Sequence, residues 1–485
     1  MVKEAEKLIE EMKEKNSEKI LDNVKDKIEK ERTMKLSVKE GSYASVMSGF
    51  GDAYITPYAL SLNANNLAIG FLSSFTGLIS PLSQLLGSKL MEKYSRKKII
   101  TTAVTLHALM WLPILLLSLL FQKNIFQAYL PIILIVFYSV YALFGALGGP
   151  AWFSLLGDII PEKIRGAYFG KRNKICSTVA LLSTIAAAFI LDFFKTRGVV
   201  LVGFSILFFF ACIFRLLSAN TFRKHYEPKF KLQPGYYFSF WQFIKKAPSN
   251  NFGKFVIFIA LIDLSTNISA PFFSVYMLKD LNFSYITFML VNISSSIFSI
   301  LFMPVWGKFA DKYGNKDLLK LGAFMIPFIP ILWLFSKSPV YLAFSPQLLS
   351  GVGWAAFNLA ATNYIYDCVS PQRRALCVSY YNIIAGVGVF IGAIIGGFLA
   401  SYLSITFMNK LLFVFLISGI LRLVVVFFAL PVIKEVRQTE NKKNPILYLR
   451  EFRPITGVVM EIISDVRNIK DGIKKISRKK FSFDF

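Results

Sequence analysis

Apolar runs of about 20 residues recur along most of this sequence, and a helix of that length crosses a hydrocarbon core of roughly 30 Å. They lie near 43–62, 67–90, 98–121, 129–156, 175–193, 199–218, 254–276, 284–305, 318–336, 340–365, 379–402 and 410–430. Ile, Leu, Phe, Ala and Gly dominate them, without the strict polar/apolar alternation of a membrane barrel. At 55% hydrophobic and 17% charged residues, the chain carries more apolar side chains than a soluble core of its size requires. The predicted class is an all-α polytopic membrane protein with twelve transmembrane helices.

The net charge of +26 is placed unevenly. The connection SLNANN at 61–66 is uncharged, whereas EKYSRKK at 92–98, PEKIRGAYFGKRNK at 161–174 and DKYGNKD at 311–317 are basic. Charge on alternate connections follows the positive-inside rule, which puts both termini in the cytoplasm of a multi-pass cell-membrane protein. It also favours anionic lipid headgroups over nucleic acid as the partner of the charge. Residues 1–41 mix Lys and Glu, lack the apolar core of a signal peptide, and read as a charged cytoplasmic helix. The tail, 431–485, interleaves Ile455, Val458, Val459, Ile462 and Ile463 with Arg and Lys, the pattern of an amphipathic helix on the cytoplasmic leaflet. Cys176, Cys212, Cys368 and Cys377 show no metal-ligand spacing; neither a metal nor a cofactor is expected.

The long hydrophilic segment 219–253, ending in the aromatic-basic stretch YYFSFWQFIKK, separates six runs (42–218) from six (254–430) and reads as a central loop with an interfacial helix. Polar landmarks repeat across it. Asp158 and Arg165 after the fourth run match Asp367 and Arg374 after the tenth, 209 residues on; Arg215 and Arg422 are 207 apart, and Asp52 and Asp263 are 211 apart. The chain reads as two pseudo-symmetric six-helix bundles.

Asp52 and Asp263 each lie nine residues into a run, about 14 Å deep at 1.5 Å per residue, near the bilayer midplane. An ionised carboxylate there costs about 2.5 to 3.5 kcal/mol on insertion scales, so it faces water, meets a cation or takes up a proton. The functional reading is proton coupling or contact with a cationic part of a solute; the plain alternative is a static hydrogen-bonded carboxylate. Arg215 and Arg422, near cytoplasmic helix ends, are explained by snorkelling. His107, beside Trp111, has a carboxylate pairing as its minority reading.

Residues 307–316, GKFADKYGNK, resemble the loop signature of the major facilitator superfamily, with Gly307, Asp311, Lys312, Gly314 and Lys316 at its positions. The first-half copy, SKLMEKYSRKK at 88–98, is degenerate: Ser88, Glu92 and Ser95 replace Gly, Asp and Gly. The stretches 147–173 and 358–382 are also similar to a poorly characterised prokaryotic branch of that superfamily. The resemblance implies two bundles that rock about a central site, with the first and fourth helices of each half lining the path. On those helices it makes Tyr54, Tyr58, Tyr138, Tyr141, Asn267, Trp354 and Asn358 candidate solute contacts, each with a packing alternative. It gives Asp311 a role in a cytoplasmic gate, with Arg165 as candidate partner, and Glu92 the mirrored role with Arg374; Gly307, Gly314, Asp158 and Asp367 complete that gate.

The superfamily's buried Arg of the fourth helix and its Gly-Pro antiporter motif of the fifth are missing from YALFGALGGPAWF at 141–153 and ICSTVALLSTIAAAF at 175–189. The expected function is secondary active transport of a small organic solute, proton coupling included, by a monomer. The alternative is a transporter-like receptor or sensor, or a membrane-embedded enzyme. Gly388, Gly392 and Gly396 are spaced for close helix packing, and Pro57, Pro150 and Pro271 mark bends.

Overall fold

A computed structural model describes residues 2–228, 239–369 and 371–436. The described residues are helical, and nine of their helices are long and apolar enough to cross a membrane. The other three apolar runs are interrupted or diluted. Span 1 follows directly from the charged helix Val2–Phe50, tightens into a turn at Asp52–Tyr54 and resumes as Ile55–Ser61. Span 9 breaks between Asn315–Met325 and Phe328–Leu332, and span 10 consists of Pro339–Phe344 and Pro346–Cys368. Both breaks fall at prolines, which lack the amide a continuous helix needs.

The remaining spans are Asn66–Leu90 (span 2), Arg96–Gln122 (3), Gln127–Ile159 (4), Tyr168–Thr196 (5), Val200–Arg223 (6), Asn251–Asp280 (7), Tyr285–Tyr313 (8), Leu376–Tyr402 (11) and Lys410–Val432 (12). The fold is two bundles of six. In the central segment, Ser239 caps a short helix, Phe240–Lys246, in a reciprocal capping box with Gln242. The tail expected to be amphipathic lies, beyond residue 436, outside the described residues.

Break positions follow local chemistry. At Gly51 a methyl group would come within 2.3 Å of the Trp111 ring, so glycine there lets span 3 press against span 1 at the turn holding Asp52. Span 7 breaks between Asn267 and Pro271, and Arg422 of span 12 fills the gap. Its guanidinium donates to the carbonyls of Thr266 (3.3 Å) and Ile326 (3.1 Å) and to Ser269 Oγ (2.8 Å). Arg422 is 1% exposed, which corrects the snorkelling expectation: freed carbonyls hold it inside the bundle.

The glycines of span 11 pack as their spacing predicts. A Cβ at Gly388, Gly392 or Gly396 would stand 2.1 to 2.3 Å from the carbonyl oxygens of Ala260, Leu264 or Ile268 in span 7. Gly392→Ala is therefore expected to push spans 7 and 11 apart and lower thermal stability by about 1 to 3 kcal/mol. A melting curve of the purified variant matching wild type would contradict it.

The cores show how the bundles meet. At the end opposite the basic connections, one continuous apolar core joins the halves: Tyr54, Tyr58, Leu134 and Phe204 share it with Phe272, Tyr276, Trp333 and Phe415. At the basic end, Phe255, Trp306 and Tyr364 belong to one core and Ile100, Leu155 and Phe222 to another. Hydrogen bonds agree, since Asn66 to Ala400 O, Lys279 to Ala64 O and Lys195 to Phe283 O tie the halves together at the far end. The molecule is closed at the far end; toward the basic end the apolar cores are separate, while Asn382 Nδ2 of span 11 still donates to Gln84 Oε1 of span 2 at 3.3 Å.

Candidate functional site

Asp52 sits at the turn of span 1, half-buried, with Oδ1 accepting from the Tyr141 hydroxyl at 2.5 Å. Tyr138 and Ser48 lie beside the carboxylate. Tyr138 stacks on Tyr141 with ring centroids 5.0 Å apart, and Trp111 meets Tyr141 edge-on at 4.8 Å. Span 4 can supply both phenols because residues three apart share a helix face.

Behind Tyr141 a polar ladder runs toward the basic end. The His107 ring lies 3.9 Å from that of Tyr141, and Arg215 Nε donates to His107 Nδ1 at 3.1 Å, which leaves the imidazole proton on Nε2. Arg215 also lies 3.9 Å from Glu40 Oε1, and Ser218 Oγ donates to that same oxygen at 2.9 Å. Arg172 of span 5 stands 3.5 Å from Glu40 Oε2 and donates to Ser37 Oγ at 3.2 Å. Two guanidinium groups thus share one buried carboxylate, that of Glu40. Arg215 does not snorkel, and His107 reaches a carboxylate only through Arg215 and Tyr141.

Glu40 and Arg172 escaped the sequence reading. The signal was present: Thr33, Ser37 and Glu40, spaced i, i+4, i+7, are all buried, so the helix before span 1 turns a polar face inward.

Asp263 occupies the matching place in span 7 in a different setting. It is half-buried, and its carboxylate has no hydrogen-bond or ion-pair partner among the described residues. Asn267 does not serve it, because its Nδ2 donates to the Asp263 backbone carbonyl at 2.8 Å. Tyr381 of span 11 stands near it. Nearby in chain order, a cleft of about 490 Å³ opens between spans 2 and 11, lined by Ser73, Thr76, Ser80, Gln84, Asn382 and their neighbours.

The other path candidates divide. Trp354 is half-buried against Phe357 and Asn358 is exposed, both on span 10. Tyr54 is fully buried at the closed end, donating to Thr184 O at 2.7 Å and meeting Tyr285 of the other half edge-on. Tyr58 shows its packing alternative here: it is fully buried against Phe204 and Phe208 with its hydroxyl donating to Ile114 O at 2.9 Å.

At the basic end, the repeat builds one construction with two chemistries. In the first half, Arg96 bonds Asp158 at 2.5 Å and Ser154 at 3.0 Å, while its backbone N–H donates to Glu227 at 2.8 Å. In the second half, Asn315 donates to Asp367 at 2.6 Å, and the Lys316 N–H donates to Glu435 at 2.9 Å. Asn315 thus holds the place of Arg96, and a neutral amide replaces the guanidinium. Gly314 turns at φ +94°, a conformation that favours glycine; Ser95 solves the same turn with an ordinary backbone and caps Lys98 N with its hydroxyl.

The remaining gate candidates are exposed or turned elsewhere. Arg165 donates to the carbonyls of Gly157 (2.9 Å) and Ile160 (3.3 Å), closing the end of span 4 rather than reaching Asp311. Asp311 and Glu92 are exposed, and the space beside Gly307 is open. The side chain of Arg374 lies outside the described residues. No group of three or more metal-binding side chains occurs among the described residues.

The family model of the Major Facilitator Superfamily matches residues 42–264 and again 255–481. An uncharacterized MFS-type transporter of Methanocaldococcus jannaschii is 24% identical over 76% of this chain and 93% of its own length. The multidrug resistance protein MdtG of Salmonella schwarzengrund is 24% identical over 70% of this chain and 80% of its own. Among solved structures, the nucleoside transporter NupG (D323A mutant) superposes with a TM-score of 0.62 at 16% identity, covering 83% of this chain and 100% of that one. The Escherichia coli xylose transporter XylE, partially occluded and inward open, gives 0.57 at 16% identity over 85% and 100%.

Proposed function

The chain belongs to the Major Facilitator Superfamily, and from that premise we propose that it is a secondary active transporter of a small organic solute, working by alternating access with a proton or a cationic solute group at its midplane acids. The observation that carries this reading is the Asp263 carboxylate, half-buried at midplane depth without a bonded partner among the described residues. A group in that condition is unfavourable unless something mobile joins it, and a proton or a cation is what a transport cycle can supply and remove. Asp52 is the second midplane acid, and it accepts from the Tyr141 hydroxyl.

The end closed by the shared apolar core is then the outer one, and the basic end faces the cytoplasm with both termini. The bilayer is the medium, anionic lipids the partners of the basic tail, and the monomer the working unit. Asp311, Glu92 and the Asp158 and Asp367 clusters form the cytoplasmic gate. The solved neighbours named as nucleoside and xylose transporters and the relative named as a multidrug resistance protein suggest a small organic cargo without choosing within it.

A thermal-shift screen of purified protein against metabolites and drugs at several pH values finds the solute as the compound that raises the melting temperature. Transport of that solute is expected to fall in Asp311→Asn while membrane insertion stays intact. Unchanged transport would remove Asp311 from the gate. A ligand that binds but never crosses would favour the receptor alternative.

A further inference from the structure

The far end is shut by a polar tie as well as an apolar one. Asp192, near the end of span 5 in the first half, reaches the start of span 8 in the second. Its Oδ1 accepts from the Tyr285 N–H at 2.8 Å and its Oδ2 from the Ile286 N–H at 3.0 Å. These are the first amides of a helix, which have no partner within it, and a carboxylate there also meets the positive end of the helix dipole. Span 8 already has a cap of its own, because Ser284 Oγ accepts from the Thr287 N–H at 3.1 Å. Asp192 is therefore a second acceptor, contributed by the opposite bundle. Beside it, Lys195 donates to Phe283 O at 3.3 Å and lies 5.3 Å from the Tyr285 ring centre, and Tyr285 in turn meets Tyr54 of span 1 edge-on at 6.5 Å.

We propose that Asp192 is the latch of the far end: its two bonds to the start of span 8 hold the bundles together there, and the cycle that exposes the central site to the far side begins when they part. The placement suits a reversible latch. Asp192 is half-buried near the end of its helix, so water can take over both the carboxylate and the two amides when they separate. A tie buried in the apolar core would instead leave stranded polar groups. The contact is charge-assisted, so its loss moves a two-state equilibrium by a measurable factor. The latch concerns the rocking of the bundles and goes beyond the reading of the midplane acids, since opening can be followed without any solute.

The test uses the full chain with Cys176, Cys212, Cys368 and Cys377 replaced, and spin labels at Lys123→Cys and Lys337→Cys, exposed positions between spans 3 and 4 and between spans 9 and 10. Electron-spin distance measurement in lipid nanodiscs is expected to show one dominant short population without further changes. Asp192→Ala is expected to raise the long-to-short population ratio at least about fivefold. Ser284→Ala, which removes the local cap and keeps the cross-bundle tie, should leave the ratio within about twofold. Should the alanine variant fail to fold, Asp192→Leu, which removes both acceptors at nearly the native size, is read in the same way. An unchanged ratio in the folded Asp192 variant, or an equal rise in Ser284→Ala, overturns the proposal.

Discussion

Asp263→Asn is expected to lower solute flux by about a hundredfold and to flatten its dependence on pH, the scale on which a positioned proton-transferring side chain acts. The substitution preserves shape and removes only the charge and the titration. Because the Asp263 carboxylate has no hydrogen-bond or ion-pair partner among the described residues, no packing contact is lost, and melting temperature should hold or rise as a half-buried charge is relieved. Asp52→Asn is expected to behave differently. Its carboxylate accepts from the Tyr141 hydroxyl, so the variant weakens a charge-assisted bond and loses stability as well as flux. Measuring flux against pH beside thermal melting separates the two acids: activity without stability for Asp263, both for Asp52. If Asp263→Asn retains a wild-type pH profile, proton exchange does not pass through it.

The second large effect is expected at Arg96. Its side chain is 1% exposed and bonds Asp158, Ser154 and the Pro228 carbonyl, while its backbone amide reaches Glu227. Arg96→Ala should destabilise the first bundle by about 2 to 3 kcal/mol, the range for hydrogen bonds to charged groups. The larger penalty of a stranded buried acid does not apply, because Asp158 is 46% exposed and water screens it. Asn315→Ala, which loses one bond to the Asp367 carboxylate and one from Asn363, should cost about 1.5 kcal/mol, the low end for bonds to a charged group. Thermal or denaturant unfolding of the two variants side by side checks the ranking, and equal losses would contradict it.

These two sites mark where the sequence was informative and where it stopped. Run length and composition showed the spans, because crossing a bilayer imposes a minimum length of apolar helix. The spacing of Asp158 and Asp367 showed the repeat, and the structure gives both carboxylates a partner from the start of the neighbouring helix. That the partner in the first half is Arg96 was not legible. Arg96 sits inside EKYSRKK, where it looks like one more positive-inside charge, and only the packing of spans 3 and 4 singles it out. Asp52 and Asp263 matched by position but not by environment. Tyr141 has Ser350 as its counterpart at the 209-residue offset, and serine is too short to do what a phenol does. The ladder of Glu40, Arg172, Arg215 and His107 joins residues more than a hundred positions apart, beyond the reach of local periodicity. Arg422 misled for a related reason: depth along a helix was readable, whereas the break in span 7 that needs its donors was not.

The most direct test of the central claim is counterflow. Proteoliposomes are preloaded with the unlabelled solute found by thermal shift and diluted into a trace of labelled solute. A carrier that exposes one site alternately to each side is expected to draw the label inward to a transient peak above its equilibrium level, reduced in Asp263→Asn. A protein whose melting temperature rises with the solute, yet whose vesicles take up no more label than empty ones, would contradict transport and leave a receptor in its place.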